Sequence, residues 1–73
     1  MQIDIATLRK KIEERNMSIS DFSREIGMNP STLYRKIEGN GVGITIGEAH
    51  RMVEVLRLSK SEAIRIFLPQ YSQ

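Results

Sequence analysis

The feature that most constrains the fold is the segment SISDFSREIGMNPSTLYRKIEG. Ser18 precedes Asp21 by three positions, a spacing at which the two side chains can cap a helix start reciprocally. Gly27 follows two turns later, and glycine most easily takes the left-handed conformation that ends a helix. Asn29 and Pro30 then form a second start signal, because asparagine caps helices and proline at the first helical position lacks only an N–H that would have no partner. The segment is predicted to form two short helices separated by a tight turn.

The apolar residues of this segment, 18–39, support the division into two helices. Phe22 and Ile26 are four residues apart, as are Leu33 and Ile37, so each pair lies on one face of its helix. The turn between the helices is only about three residues long, which is short enough to set them at roughly 90–120°. Segment 18–39 is therefore predicted to be a helix-turn-helix motif whose second helix presents side chains outward.

Three further helices are predicted around the motif. The first begins after the cap residue Asp4 and ends near Arg15. The segments TIGE and SKSE repeat the cap spacing of the motif and open two more helices. One of these spans about 46–57, and the other ends at Pro69. An apolar face is predicted on the last helix, formed by Ala63, Ile64, Phe67 and Leu68.

The remaining segments carry no signal for a strand. Residues 40–43 (NGVG) are rich in turn residues, which argues against a strand although apolar residues alternate there. The tail, 69–73, is expected to be flexible. The sequence thus predicts an all-α, compact five-helix fold, with residues 1–73 forming a single domain.

Composition argues against several classes of function. The chain has no cysteine, so neither a disulfide nor a thiolate metal site is expected. His50 is the single histidine, and glycine-rich phosphate-binding patterns do not occur. A catalytic set that could converge in so short a chain is not evident either. We therefore expect no enzyme activity, no metal and no cofactor.

Charge and hydropathy permit nucleic-acid binding in the cytoplasm. The net charge of +2 arises from 11 basic and 9 acidic residues, and cations and anions balance within the motif. Attraction to phosphate would have to come also from outside the motif, and Arg9 and Lys10 in the first helix are candidates. Apolar runs stay well below the roughly 18 residues of a membrane span, and the first residues lack the apolar core of a signal peptide. A cytoplasmic protein without a membrane partner is expected.

With the motif placed, the chain resembles the Cro and phage-repressor type of helix-turn-helix proteins, a large family of bacterial and phage regulators. The segment STLYRKIEG resembles the family's recognition helix, and TIGEAHRMVEVL followed by SKSEAIRIFL resembles the close of many such domains. The resemblance implies a lambda-repressor-like domain that regulates transcription in a bacterial host cell by binding double-stranded operator DNA. Two positions depart from the usual pattern: Ile19 replaces a phosphate-bracing glutamine, and Ser23 replaces a small alanine.

The resemblance also implies which residues contact DNA, because the second motif helix of this family lies in the major groove. The base-reading candidates are Asn29, Pro30, Ser31, Tyr34 and Arg35, and the further phosphate candidates are Lys36 and Asn40. Arg35 can pair with a guanine edge, or it is a solvated helix arginine. Ser31 can contact DNA or is simply favoured in the first turn of a helix. Tyr34 can reach the groove or lie over the domain surface.

A homodimer is expected, because a domain of this size buries only a marginal core. The apolar C-terminus is the candidate interface, formed by Ile64, Phe67, Leu68 and Tyr71. Such a dimer would bind a pseudo-palindrome with half-sites roughly 34 Å apart. A Cro-like steric repressor fits this organisation better than a regulator that senses a ligand.

A second hypothesis keeps the fold and changes the target. The protein would then be an antirepressor or modulator that docks on a partner repressor protein. Ile19 and the charge-neutral motif favour this alternative, and Ile19, Tyr34 and Arg35 would line the protein interface. An antitoxin that binds a toxin protein is a third option. Fold alone cannot separate the three.

Overall fold

The computed structural model describes residues 3–71 and contains five α-helices. These are α1 (Ile5–Glu14), α2 (Ile19–Glu25), α3 (Pro30–Glu38), α4 (Ile46–Leu56) and α5 (Lys60–Phe67), followed by a 3-10 turn, Pro69–Tyr71. No strand occurs within residues 3–71, and none of the helices there is long and apolar enough to cross a membrane. The predicted all-α, five-helix fold is confirmed.

Each helix begins at the cap that the sequence predicts. Reciprocal capping boxes open three helices, formed by Ser18 with Asp21, Thr45 with Glu48 and Ser59 with Glu62. The other two helices are capped by one side-chain oxygen each, from Asp4 for α1 and Asn29 for α3. A cap of this kind contributes about 1 kcal/mol, so the starts of the helices are fixed by local chemistry.

One hydrophobic core is shared by all five helices. Its buried members are Ile3, Leu8, Ile12, Phe22, Ile26, Leu33, Ile37, Met52, Leu56, Ile66 and Phe67. The motif contributes the two i, i+4 pairs that were predicted from the sequence, and all four of those side chains are buried. The inner faces of α2 and α3 are therefore anchored in the centre of the domain.

The predicted apolar face of α5, formed by Ala63, Ile64, Phe67 and Leu68, is present and lines an apolar surface, but the prediction missed Ile66. Ile66 is completely buried, whereas Leu68 is 37% exposed. The residue that caps α1 lies against this end of α5, because the N–H of Asp4 donates to the carbonyl of Ile66 at 2.8 Å. Leu68 follows the last helical residue with non-helical backbone angles, and it remains part of the apolar face together with Ile64 and Phe67.

The C-terminal tail contains more regular structure than the sequence predicts. Pro69–Tyr71 form one 3-10 turn, in which the N–H of Tyr71 donates to the carbonyl of Leu68 at 2.9 Å. The rest of the predicted flexible tail, residues 72–73, lies outside the described residues.

Two arginines hold helix ends that lie far from them in the sequence. Arg15 donates from Nη2 to the carbonyl of Leu56 at 3.0 Å, at the end of α4. Arg51 donates from Nε to the carbonyl of Ile26 at 2.9 Å, where α2 ends and the turn of the motif begins. The last carbonyls of a helix have no hydrogen-bond donor within the helix, and they carry partial negative charge. A guanidinium at this end therefore donates the missing hydrogen bond and also interacts favourably with that charge. Arg51 thereby ties α4 to the motif.

An ion pair between α1 and α5 predicts a measurable dependence of stability on pH. Lys11 donates from Nζ to Oε2 of Glu62 at 2.7 Å. This hydrogen bond, together with those from Ser59, lowers the pKa of Glu62 from its ordinary 4.5 to about 2. Because the pKa is lower in the folded state, the stabilisation is fully present above about pH 4.5 and is lost as the pH falls toward 2.

We therefore expect Glu62→Gln to lower the melting temperature at pH 7 and to flatten its decline between pH 4.5 and pH 2. Thermal melts followed by circular dichroism across this pH range measure both effects. Glu13→Gln is the matched control, since Glu13 is an exposed glutamate of α1. Equal acid profiles for the two variants would contradict the role of the Lys11 pair.

Candidate nucleic-acid interface

The turn between α2 and α3 closes through backbone hydrogen bonds around one glycine. Gly27 has φ +74°, and the N–H of Met28 donates to the carbonyl of Ser23 at 2.8 Å. This pattern ends α2 sharply and leaves Asn29 placed to cap α3. The side chain of Ser23 is buried where the helices cross, and its Oγ donates to the carbonyl of Ser20 at 2.6 Å. Serine therefore fits this position with its hydroxyl satisfied.

One face of α3 is exposed along its whole length. Four side chains at i, i+3, i+4 and i+7 form this outward stripe: Ser31, Tyr34, Arg35 and Glu38. The opposite face carries Leu33 and Ile37, which are buried in the core. The structure thus brings three of the predicted base-reading residues together on one rigid, accessible surface.

Asn29 and Ser31 form a polar pair at the start of the outward stripe. Oδ1 of Asn29 accepts from the backbone N–H of Ser31 at 2.9 Å and from its Oγ at 2.6 Å. The serine hydroxyl therefore keeps its lone pairs as acceptors, and the asparagine amide keeps two N–H donors. The pair can offer both a donor and an acceptor to one ligand. Pro30 lies beside it and is half-buried. Because proline has no N–H and its side chain is apolar, it can supply shape but donates no hydrogen bond.

The two cations of α3 have different surroundings. Lys36 donates from Nζ to both carboxylate oxygens of Glu48, at 2.9 and 3.0 Å, and both side chains are largely shielded from water. Burial raises the pKa of Glu48, but the hydrogen bonds from Lys36 and from the backbone of Thr45 outweigh it, so this pKa is below its ordinary value. Arg35 is exposed and has no ion pair within residues 3–71.

The pairing of Lys36 with Glu48 makes its ammonium group less available for the predicted contact with a phosphate. Its charge is neutralised at the junction of α3 and α4, where the pair with Glu48 fixes the C-terminal half of α3. The other phosphate candidate of this region, Asn40, is exposed in the loop after α3, with φ +58°. The sequence contains no local signal for the Lys36–Glu48 pair, because its partners are twelve residues apart on different helices.

The structure separates the two phosphate candidates of α1. Arg9 lines a cleft with Ser18 and Ile19, at the N-terminus of α2. Lys10 lies on a different side, in a groove between α1 and α5 that also contains Glu62 and Arg65. Arg9 is therefore on the motif side of the domain, and Lys10 is not adjacent to the motif.

The apolar candidates for a protein interface also lie on different parts of the surface. Ile19 is half-buried and packs against the core. Phe67 is buried and forms the floor of an apolar groove of about 390 Å³, whose other lining residues include Leu68, Ala49 and Ile46. Ile64 lines the neighbouring part of the same surface, whereas Tyr71 is exposed outside the lining of the groove.

Ile46 is an apolar surface residue that the sequence patterns do not reveal. It is the first residue of α4 and is 89% exposed, at the rim of the apolar groove. The helix period alone does not predict whether a residue in the first turn is exposed, because the orientation of the helix end depends on the loop before it. We refer to the surface of Ile46, Ala49, Ile64, Phe67 and Leu68 as the α4–α5 groove.

Comparison with known protein families adds an independent finding. The model of one family, described as a Cro/C1-type HTH DNA-binding domain, matches residues 7–66 of the 73-residue chain. Comparison with curated proteins and with solved structures gives no match. The matched residues include all of the motif and the outward stripe of α3. The chain therefore belongs to the Cro/C1-type helix-turn-helix family and is a DNA-binding domain of that type.

Proposed function

We propose that this protein is a sequence-specific transcriptional repressor of a bacteriophage or prophage, which acts in the cytoplasm of its bacterial host. Helix α3 would enter the major groove of duplex operator DNA. One observation carries the proposal: Ser31, Tyr34 and Arg35 share the exposed face of a helix whose other face is anchored in the core. A helix held in this way can present its side chains to base edges at little cost in ordering.

In vitro selection from a pool of random duplexes tests the proposal. We expect enrichment of one site that contains a guanine in each half and is pseudo-palindromic, with half-sites about 10 base pairs apart, roughly 34 Å. Recovery of no common site after several rounds would contradict sequence-specific binding. We refer to the enriched site as the selected operator.

The proposed repressor binds as a homodimer. Residues 3–71 extend over 32 × 22 × 20 Å and present one recognition helix, so a second copy would supply the helix for the second half-site. Isologous contact through the α4–α5 groove is supported by its apolar lining and by the exposed Ile46 at its rim. Such a contact would remove apolar surface that the isolated protomer leaves in water.

Leu68→Arg is expected to convert the dimer to protomers and to weaken operator binding. A charge placed in an apolar interface is left without a partner there, so we expect a loss of affinity of roughly ten-fold or more, which corresponds to about 1.4 kcal/mol. Sedimentation equilibrium and titration of the selected operator measure the two effects. Tyr71→Arg is the control, since Tyr71 is exposed outside the groove. Equal behaviour of both variants would place the interface elsewhere.

Arg9 is proposed to contact a DNA phosphate from the N-terminus of α2. Replacement by alanine is expected to reduce the slope of log K against log salt by about 0.9 for each protomer, or roughly 1.8 for the dimer. Lys10→Ala is the matched control, because Lys10 lies in the groove between α1 and α5. If the two replacements change the slope equally, the assignment of Arg9 is wrong.

A second candidate function is that of an antirepressor that binds a partner repressor. The observation that favours it is the electrostatic balance of the motif surface. Lys36 is neutralised by Glu48, and Glu38 accompanies Arg35 in the outward stripe. A surface on which the charges balance, with Ile19 nearby, would suit a protein partner, whose binding depends little on salt. Failure of the selection, combined with capture of a phage repressor through this surface, would support this function in place of the first.

A further inference from the structure

The loop between α3 and α4 presents an apolar side chain beside the outward stripe. Val42 is 74% exposed and lines a shallow cleft with Thr32, Arg35 and Lys36. It is not among the residues that pack against the core. Its isopropyl group therefore stands in water next to the arginine that is proposed to contact a base.

The loop that carries Val42 is held in place from both sides. The N–H of Gly41 donates to the carbonyl of Lys36 at 2.8 Å, and the N–H of Val42 donates to the carbonyl of Gly39 at 3.2 Å. Gly41 is buried against Ile3, so closely that an added Cβ would lie 2.8 Å from the Cβ of Ile3. Its φ of +85° is also one that glycine accepts most readily. Val42 is thus presented at a fixed position relative to α3.

We infer that Val42 is a specificity residue that contacts the 5-methyl group of a thymine in the operator. This inference rests on the proposed function. The thymine methyl is the apolar group that base pairs display in the major groove, and aliphatic side chains contact it. Because Val42 and Arg35 line the same cleft, we expect the thymine to be adjacent to the guanine that Arg35 contacts.

Removal of the methyl group from the DNA tests the contact without altering the protein. Each thymine of the selected operator is replaced by deoxyuridine in both half-sites, and the affinity is measured by fluorescence anisotropy. One buried methyl per half-site corresponds to a loss of about four-fold, or roughly 15-fold for the two half-sites together. We expect this loss at one thymine next to the guanine.

The same substitutions are then measured with Val42→Ala and Tyr71→Ala. Both residues are exposed apolar side chains, and Tyr71 lies outside the α4–α5 groove, so neither replacement should impair folding, which a thermal melt checks. The deoxyuridine penalty should fall below about two-fold for Val42→Ala and stay near 15-fold for Tyr71→Ala. The penalty is the ratio of the affinities of one variant for the operator with thymine and the operator with deoxyuridine. A general loss of affinity in that variant therefore cancels.

The outcomes that overturn the inference are distinct from failure of the proposed function. A penalty that is equal in the wild type and in Val42→Ala would assign the methyl contact to another residue. Absence of any sensitive thymine would show that Val42 contacts no thymine methyl group, which also overturns the inference while sequence-specific binding stands. Recovery of no operator in the selection would overturn both together.

Discussion

Replacement of Arg35 by alanine is expected to remove the preference for guanine at one position in each half of the selected operator. Arg35 is the exposed cation of the outward stripe and has no ion pair within the described residues, so its five N–H donors are free for a base edge. A bidentate arginine–guanine pair contributes about 1–3 kcal/mol of discrimination. For each half-site this corresponds to roughly 5- to 150-fold in affinity.

The measurement uses four duplexes that carry each of the four bases at that position. Wild-type protein should prefer guanine, and Arg35→Ala should bind all four duplexes alike. Arg24→Ala is the control, since Arg24 is an exposed arginine of α2 that pairs with Asp21 at 3.2 Å, and it should retain the preference. A uniform loss across the four duplexes would make Arg35 a phosphate contact, and no loss would exclude it from the interface.

Replacement of Phe22 by alanine is expected to cause the largest loss of stability among the substitutions considered, about 3–5 kcal/mol of the free energy of unfolding. Phe22 is completely buried in α2, and removal of a buried phenylalanine side chain costs about 3–5 kcal/mol. A chain of 73 residues has a free energy of unfolding of roughly 4–11 kcal/mol at about 0.05–0.15 kcal/mol per residue. The substitution therefore removes a large part of the free energy of unfolding.

Chemical denaturation followed by circular dichroism measures this loss. Tyr34→Ala is the matched control, because Tyr34 is an aromatic residue of the neighbouring helix that is exposed. Its denaturation midpoint should differ little from that of the wild type. If Phe22→Ala were as stable as Tyr34→Ala, the packing of α2 and α3 through this core would be contradicted.

The parts of the fold that could be predicted from the sequence are those that local chemistry decides. A cap and the residue three positions later contact each other within one turn, so Ser18 and Asp21 predict the start of α2 from their spacing. The same holds for Gly27, whose positive φ ends the helix. The outward stripe of α3 follows from the buried pair Leu33 and Ile37, since one face of a helix determines the other.

The parts that could not be predicted depend on how helices lie against one another. Lys36 meets Glu48, and Arg51 meets the carbonyl of Ile26, only because the fold brings α4 against the motif. The complete burial of Ile66 likewise depends on the position of α1. Periodicity predicts which face of a single helix is buried, but it does not predict which other helix packs against that face. For this reason Arg35 and Lys36 are neighbouring cations in the sequence, but in the structure Lys36 is paired with Glu48 and Arg35 has no ion pair within the described residues.

These long-range contacts have a consequence for recognition. Helix α3 is anchored on its inner face by the core and tied to α4 through Lys36, and the turn that precedes it is held where α2 ends, through Arg51. A helix constrained in this way is expected to bind as a rigid body, with little reorganisation of its backbone. Binding energy from base contacts would then appear largely as affinity.

The central claim is that α3 distinguishes one DNA sequence from others, and a titration at several salt concentrations tests it most directly. Fluorescence anisotropy is measured with the selected operator and with a scrambled duplex of the same composition. We expect the operator to be bound about 10³-fold or more tightly than the scrambled duplex. Its log K should fall with log salt by about 0.9 for each phosphate contact. Weak binding of equal strength to both duplexes would contradict the account, whatever its dependence on salt.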